Sequence, residues 1–180
     1  MNEILEYNAF FANSGSYKQF AVKKYPRKKL AILTCMDTRL VELLPAALGI
    51  KNGDVKMIKN AGGLILDPFD SSIRSLLIAV LELNVEEIII IGHTDCGVKN
   101  ITFHQMTDHL LERGITSEDI RKIAEQGLDL KRWFSGFENP ESSVRNSATI
   151  LRKHPLIPSD VQISGYVMDI ITGRLMPVSE

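Results

Sequence analysis

Residues 88–91 are four consecutive isoleucines, and this run limits the fold more than any other stretch of the chain. β-branched side chains crowd a helix and fit a pleated strand. An unbroken apolar run has no polar face, so such a strand must be covered on both sides. A second run, Leu30 to Cys35 (LAILTC), makes the same demand. Between and around these runs lie segments of helical period. Leu40 to Leu48 reads as a helix stopped by Gly49, and Ile73, Leu76, Leu77, Val80 and Leu81 mark one face of another. Residues 142–153 form a further helix, closed by His154-Pro155. Residues 55–59 alternate, as a strand with one more exposed face does; residues 161–168 read as a strand and residues 174–177 as a last hairpin arm. Residues 102–136 are polar and helix-prone, with Ser117 as a candidate N-cap. Strands alternating with helices imply an α/β fold: a doubly wound, mostly parallel central sheet flanked by helices.

Ahead of the first strand, Ile4, Tyr7, Asn8 and Phe11 recur at helical spacing, and Ser16 is a candidate cap for a second short helix. Residues 1–25 are therefore read as an N-terminal helical arm and residues 26–180 as a single α/β domain. An aromatic arm of this kind packs on a neighbouring subunit or on its own domain.

Composition excludes several function classes. Lys and Arg total 21 against 22 for Asp and Glu, a formal net charge of −1, which argues against a nucleic-acid partner. No apolar stretch approaches a membrane span, and the first residues lack the basic and apolar regions of an export signal. Two cysteines are no disulfide framework; a cytoplasmic location is expected, where thiols serve as ligands, nucleophiles or core. Neither a GxGxxG nor a Walker loop is present.

Functional residues in doubly wound folds gather at the carboxyl ends of strands. Both cysteines lie there. The first strand runs into Cys35-Met36-Asp37-Thr38-Arg39, and the isoleucine strand into Gly92-His93-Thr94-Asp95-Cys96-Gly97. If the two strands are neighbours, Cys35, His93 and Cys96 offer two thiolates and an imidazole. That is a three-ligand zinc set with one open position, as in catalytic rather than structural sites. Gly92 and Gly97 are read as freeing the backbone of this loop. Taken singly, each cysteine also suits a buried core position and the histidine a hydrogen-bonded structural role. Asp37 and Arg39 can form a charge-assisted pair beside the metal, and Asp37 also suits an N-cap of the following helix. Asp95 is read as a turn residue or a support to the ligands, and His104, His109 and His154 as surface residues.

These segments together resemble the β-class carbonic anhydrases, above all their short bacterial and archaeal branch. The resemblance rests on Cys35 to Arg39, on Lys59-Asn60-Ala61-Gly62-Gly63, and on Ile91 to Gly97. His154 to Pro158 and Thr172 to Leu175 extend it over nearly the whole chain. Thr38 stands where many members carry serine. Trp133, the one tryptophan, does not match the tryptophan-tyrosine-arginine bicarbonate site of regulated members.

The resemblance implies one Zn²⁺ per chain held by Cys35, His93 and Cys96, with Asp37 and Arg39 as the catalytic dyad. It implies reversible hydration of CO₂ to bicarbonate and a proton by zinc-bound hydroxide, in a homodimer or higher even oligomer. Two thiolates neutralise the ion's charge, so activity is expected on the alkaline side of a three-histidine site. CO₂ is small and apolar; Asn60, Ala61, Gly62, Gly63, Leu64 and Ile65, with Leu66, are candidates for its pocket, though the aliphatic ones also suit plain core packing. Two other readings are hydrolysis of CS₂ or COS on the same scaffold, and a non-enzymatic zinc-binding α/β module.

Overall fold

The computed structural model describes residues 2–179. Five strands form one sheet: β1 (Leu30–Cys35), β2 (Val55–Asn60), β3 (Glu87–His93), β4 (Gln162–Met168) and β5 (Leu175–Pro177). Their spatial order is β2-β1-β3-β4-β5, and only the β4–β5 pairing is antiparallel. The isoleucine strand is central, as its composition requires. Ile88 and Ile90 face one core, with Leu33 of β1, Leu76 of α3 (Ser71–Leu83) and Leu151 of α7 (Pro140–Lys153). Ile89 and Ile91 face the other, with Ile32, Met168 and Leu44 of α2 (Leu40–Ala47). Helices thus cover both faces. β2 lies at the sheet edge, where one alternating face meets solvent.

From β1 the chain passes through α2 to β2 on one side, then through α3 to β3 on the other. The order of strands therefore reverses between β1 and β3. The carboxyl ends of these two strands diverge around a crevice, which is where ligands bind in open α/β sheets.

Several boundaries differ from the sequence reading. α7 starts at Pro140, two residues early, because Asn139 accepts the Ser142 amide and proline suits the first helical position. The polar stretch 102–136 resolves into α4 (Phe103–Glu112), α5 (Ser117–Glu125) and α6 (Leu130–Phe134). Thr116, not Ser117, caps α5: its hydroxyl accepts the Asp119 amide, and Asp119 reaches back to Thr116. Residues 16–20 make one 3₁₀ turn, and Ser16 does not cap it; Gly15 precedes it at φ 72°. α1 (Asn2–Asn13) buries no residue, and Ile4, Tyr7 and Phe10 stand largely in solvent.

Candidate metal centre

Adjacent parallel pairing sets the site. Thr34 is in register with Ile91, so Cys35 and His93 emerge from neighbouring strands at the sheet's carboxyl edge. The Thr34 hydroxyl donates to the Ile91 carbonyl at 2.8 Å, tying the two strand ends together. The loop after β3 is pinned to β4: the Thr94 amide donates to Met168 O, and Thr94 Oγ1 accepts from the Ile170 amide. This fold of the loop returns Cys96 toward Cys35.

One ligand atom each from Cys35, His93 and Cys96 lies within 4.8 Å of the others, and all three residues are buried. The two sulfurs are 3.8 Å apart. Two thiolates on one tetrahedral zinc, each bonded at about 2.3 Å, are also about 3.8 Å apart. His93 Nδ1 bonds the Thr94 carbonyl at 2.8 Å and so carries the proton. That leaves Nε2 with its lone pair in a buried position, without a hydrogen-bond partner. An unpartnered buried nitrogen is costly unless a metal meets it. The donor set fits zinc.

Electrostatics favour the same use. The Cys96 thiol donates to Cys35, and the neighbouring His93 ring and then the amides of Asp37 and Gly62 add to this, holding the Cys35 thiol well below its ordinary range despite burial. The Cys35 thiolate and burial push Cys96 up. A metal ion takes both sulfurs as thiolates, so binding releases whatever protons they carry.

Asp37 and Arg39 lie beside the ligands. Arg39 Nε and Nη2 donate to Asp37 Oδ1 and Oδ2 at 3.0 and 2.8 Å, a bidentate pair. The guanidinium, and then the Arg39 amide, hold the Asp37 carboxyl at about 2 against its partial burial. Asp37 is therefore ionised at any working pH. Its side chain does not cap α2; it closes a turn on the Arg39 amide instead. Asp37 Oδ2 is 3.9 Å from His93 Nε2, beside the metal-binding atoms. Asp95 takes φ 52° and accepts from Arg39 Nη1 at 2.8 Å, a contact the sequence reading did not foresee.

The pocket candidates divide. Asn60 organises its own loop: Nδ2 donates to Leu64 O and Ser72 Oγ, and Oδ1 accepts the Leu64 amide. Gly62 and Gly63 take φ 88° and 61°. Ala61, Leu64 and Leu66 line a cavity of about 390 Å³ together with Val98, Met106 and Trp133. Ile65 belongs to the larger apolar core, and its amide donates to Ser147 Oγ. Gly92 serves packing rather than turning, since a Cβ there would meet Val144 at 2.9 Å; Gly97 has open space. The residue with positive φ in that loop is Asp95. His104 and His109 are exposed, while His154 Nε2 meets the Pro68 carbonyl.

Gly63 backs directly onto β1, where a Cβ would lie 2.7 Å from the Cys35 nitrogen. Gly63→Ala adds that clash to a backbone conformation alanine resists. It is expected to destabilise the metal-free protein by about 2–3 kcal/mol. Urea unfolding checks this as a lowered midpoint at constant slope; an unchanged midpoint contradicts it.

The family model described as carbonic anhydrase matches residues 30–175. YtiB of Bacillus subtilis (strain 168), itself only provisionally named a carbonic anhydrase, is 47% identical over 175 residues, covering 97% of this chain and 94% of YtiB. A carbon disulfide hydrolase of Acidianus sp. (strain A1-3) is 33% identical over 86% of this chain and 79% of its own. The crystal structure of β-carbonic anhydrase isoform I from Trichomonas vaginalis superposes with TM-score 0.89 at 34% identity, covering 98% of this chain and 96% of that one. With the ligand geometry, the dyad and the sheet order alike in place, the chain belongs to the β-carbonic anhydrase family.

Proposed function

We propose that the protein is a zinc-dependent lyase that interconverts CO₂ and bicarbonate. One observation carries this reading. Three buried donors stand at zinc-ligand spacing, and the carboxylate beside them is held back by a bidentate arginine. A structural zinc site would close its fourth position with a protein ligand. Cys35, His93 and Cys96 would hold the ion, one per chain. When bound, zinc would supply a nucleophile by making a water more acidic than in bulk.

The chain's own residues do the rest. Asp37, ionised and acceptor-only, takes the proton-bearing side of a water and turns the oxygen's lone pairs outward. Arg39 fixes the carboxylate plane and keeps it from reaching the ligands. Ala61, Leu64 and Leu66 would offer CO₂ an apolar wall, in a cavity whose lining also carries Asn60, Asp70 and Ser72. Their loop is set by Asn60 and by the two glycines.

Stopped-flow CO₂ hydration by the zinc-loaded protein tests this. Proton release that tracks zinc content is the expected result, and a zinc-loaded chain inert toward CO₂ overturns it. A carbon disulfide hydrolase among the relatives makes CS₂ the second substrate to assay, and COS, the other heterocumulene weighed from the sequence, is assayed beside it. Turnover of these without CO₂ hydration would move the assignment to that activity.

Residues 1–25 act as an arm and residues 26–180 as one zinc-binding domain. The arm's exposed Ile4, Tyr7 and Phe10 cover a second copy, giving a homodimer or higher even oligomer. Light scattering is expected to show at least a dimer at micromolar concentration; a fully active monomer contradicts this. A reducing cytoplasm keeps both thiols available as ligands. No helix among the described residues is long and apolar enough to cross a membrane.

A further inference from the structure

Arg39 has two working edges, and the dyad uses only one. Nε and Nη2 grip Asp37. The other edge faces the loop between the second and third ligands: Nη1 donates to Asp95 Oδ2 at 2.8 Å and Nη2 to the Asp95 carbonyl at 2.7 Å. Asp95 sits between His93 and Cys96 in the left-handed region, at φ 52°. That backbone conformation aims both its carboxylate and its carbonyl at Arg39, 56 residues away in sequence. The conformation costs most side chains energy, and aspartate, asparagine and glycine tolerate it best.

We infer that Asp95 is a positioning residue: it clamps the outer edge of Arg39 so that the inner edge stays locked on Asp37. A guanidinium held on one edge by a single carboxylate still swings about its stem, and the carboxylate swings with it. Held on both edges, it fixes the plane of Asp37 beside the ligand set. The clamp also links the two ligand-bearing loops, because Arg39 follows Cys35 and Asp95 precedes Cys96. Any shift of one loop is felt by the dyad through Asp95.

This inference rests on the proposed CO₂ chemistry only for its activity readout. Asp95→Gly removes the carboxylate and keeps the left-handed backbone. Asp95→Asn keeps the backbone and one acceptor for Nη1 but removes the charge. Heteronuclear NMR of the Arg39 Nε–H, recorded on metal-free and zinc-loaded protein, reports the clamp independently of turnover. The expected result for Asp95→Gly is one zinc per chain, a broadened or lost Arg39 signal in both forms, and a turnover number about three- to five-fold below wild type. That scale suits an exposed charge-assisted contact. Asp95→Asn should fall between the two. An unchanged Arg39 signal in Asp95→Gly overturns the clamp. Lost zinc in Asp95→Gly overturns it too, and assigns Asp95 to the turn that presents the ligands. If wild type itself does not turn over CO₂, the functional reading fails while the NMR comparison still decides the clamp.

Discussion

Cys96→Ser is expected to leave the purified protein with little zinc and no CO₂ hydration. The hydroxyl is nearly isosteric but stays protonated, so it replaces a thiolate ligand with a weak neutral donor. Even partners that only support a ligand typically shift metal affinity by about 10–100-fold, and removing a ligand itself costs more. The fold should survive, because Cys96 lies at the rim of its apolar cluster while Ile32, Leu44 and Ile91 fill the centre. Two measurements separate metal loss from unfolding. Elemental analysis reads zinc per chain, and thermal unfolding with and without chelator reads the linkage between metal and stability. Wild type should lose midpoint temperature when stripped, since anything that binds only the folded state stabilises it. Cys96→Ser should already sit near the stripped value and should not respond to chelator. Full zinc retention in a folded Cys96→Ser protein would remove Cys96 from the ligand set.

Most of this architecture is legible in the residues. The isoleucine run demands cover on two faces, and Ile88 and Ile90 enter one core while Ile91 enters the other. Strand ends carrying Cys35 and His93 are visible because an apolar run stops abruptly in polar, ligating residues. Less accessible are features set by elements far apart in sequence. Gly92 looks like a turn glycine, yet it is small because Val144 of α7 packs on it. Ile65 follows a pocket loop, yet the path of the chain past Ser147 turns it into the core. Asp95 shows no local sign of its bond to Arg39, since the partner arrives from the other loop of the crevice. The one-residue shift from Ser117 to Thr116 at α5 was decidable: only Thr116 has an acidic residue, Asp119, three positions on.

Arg39→Ala should separate zinc binding from catalysis. None of the ligand atoms belongs to Arg39, so the variant is expected to keep about one zinc per chain. What it loses is the restraint on Asp37. In wild type, that carboxylate is held by two side-chain hydrogen bonds while lying 3.9 Å from His93 Nε2. A carboxylate is a good oxygen ligand for zinc. Freed of the guanidinium, Asp37 has only a short distance to travel to become the fourth protein ligand, which converts an open site into a closed one. The expected loss in turnover is on the order of 10²-fold, the scale of misplacing one positioned group at a reacting centre. Arg39→Lys should not recover it, because an ammonium offers no planar fork to bridge both carboxylate oxygens and cannot face Asp95 at the same time. A crystal structure of zinc-loaded Arg39→Ala should show Asp37 bonded to the metal. Wild-type turnover in that variant would refute the assignment. Zinc-free protein would instead make Arg39 a structural tie between the two loops, held there by Asp37 and Asp95 together.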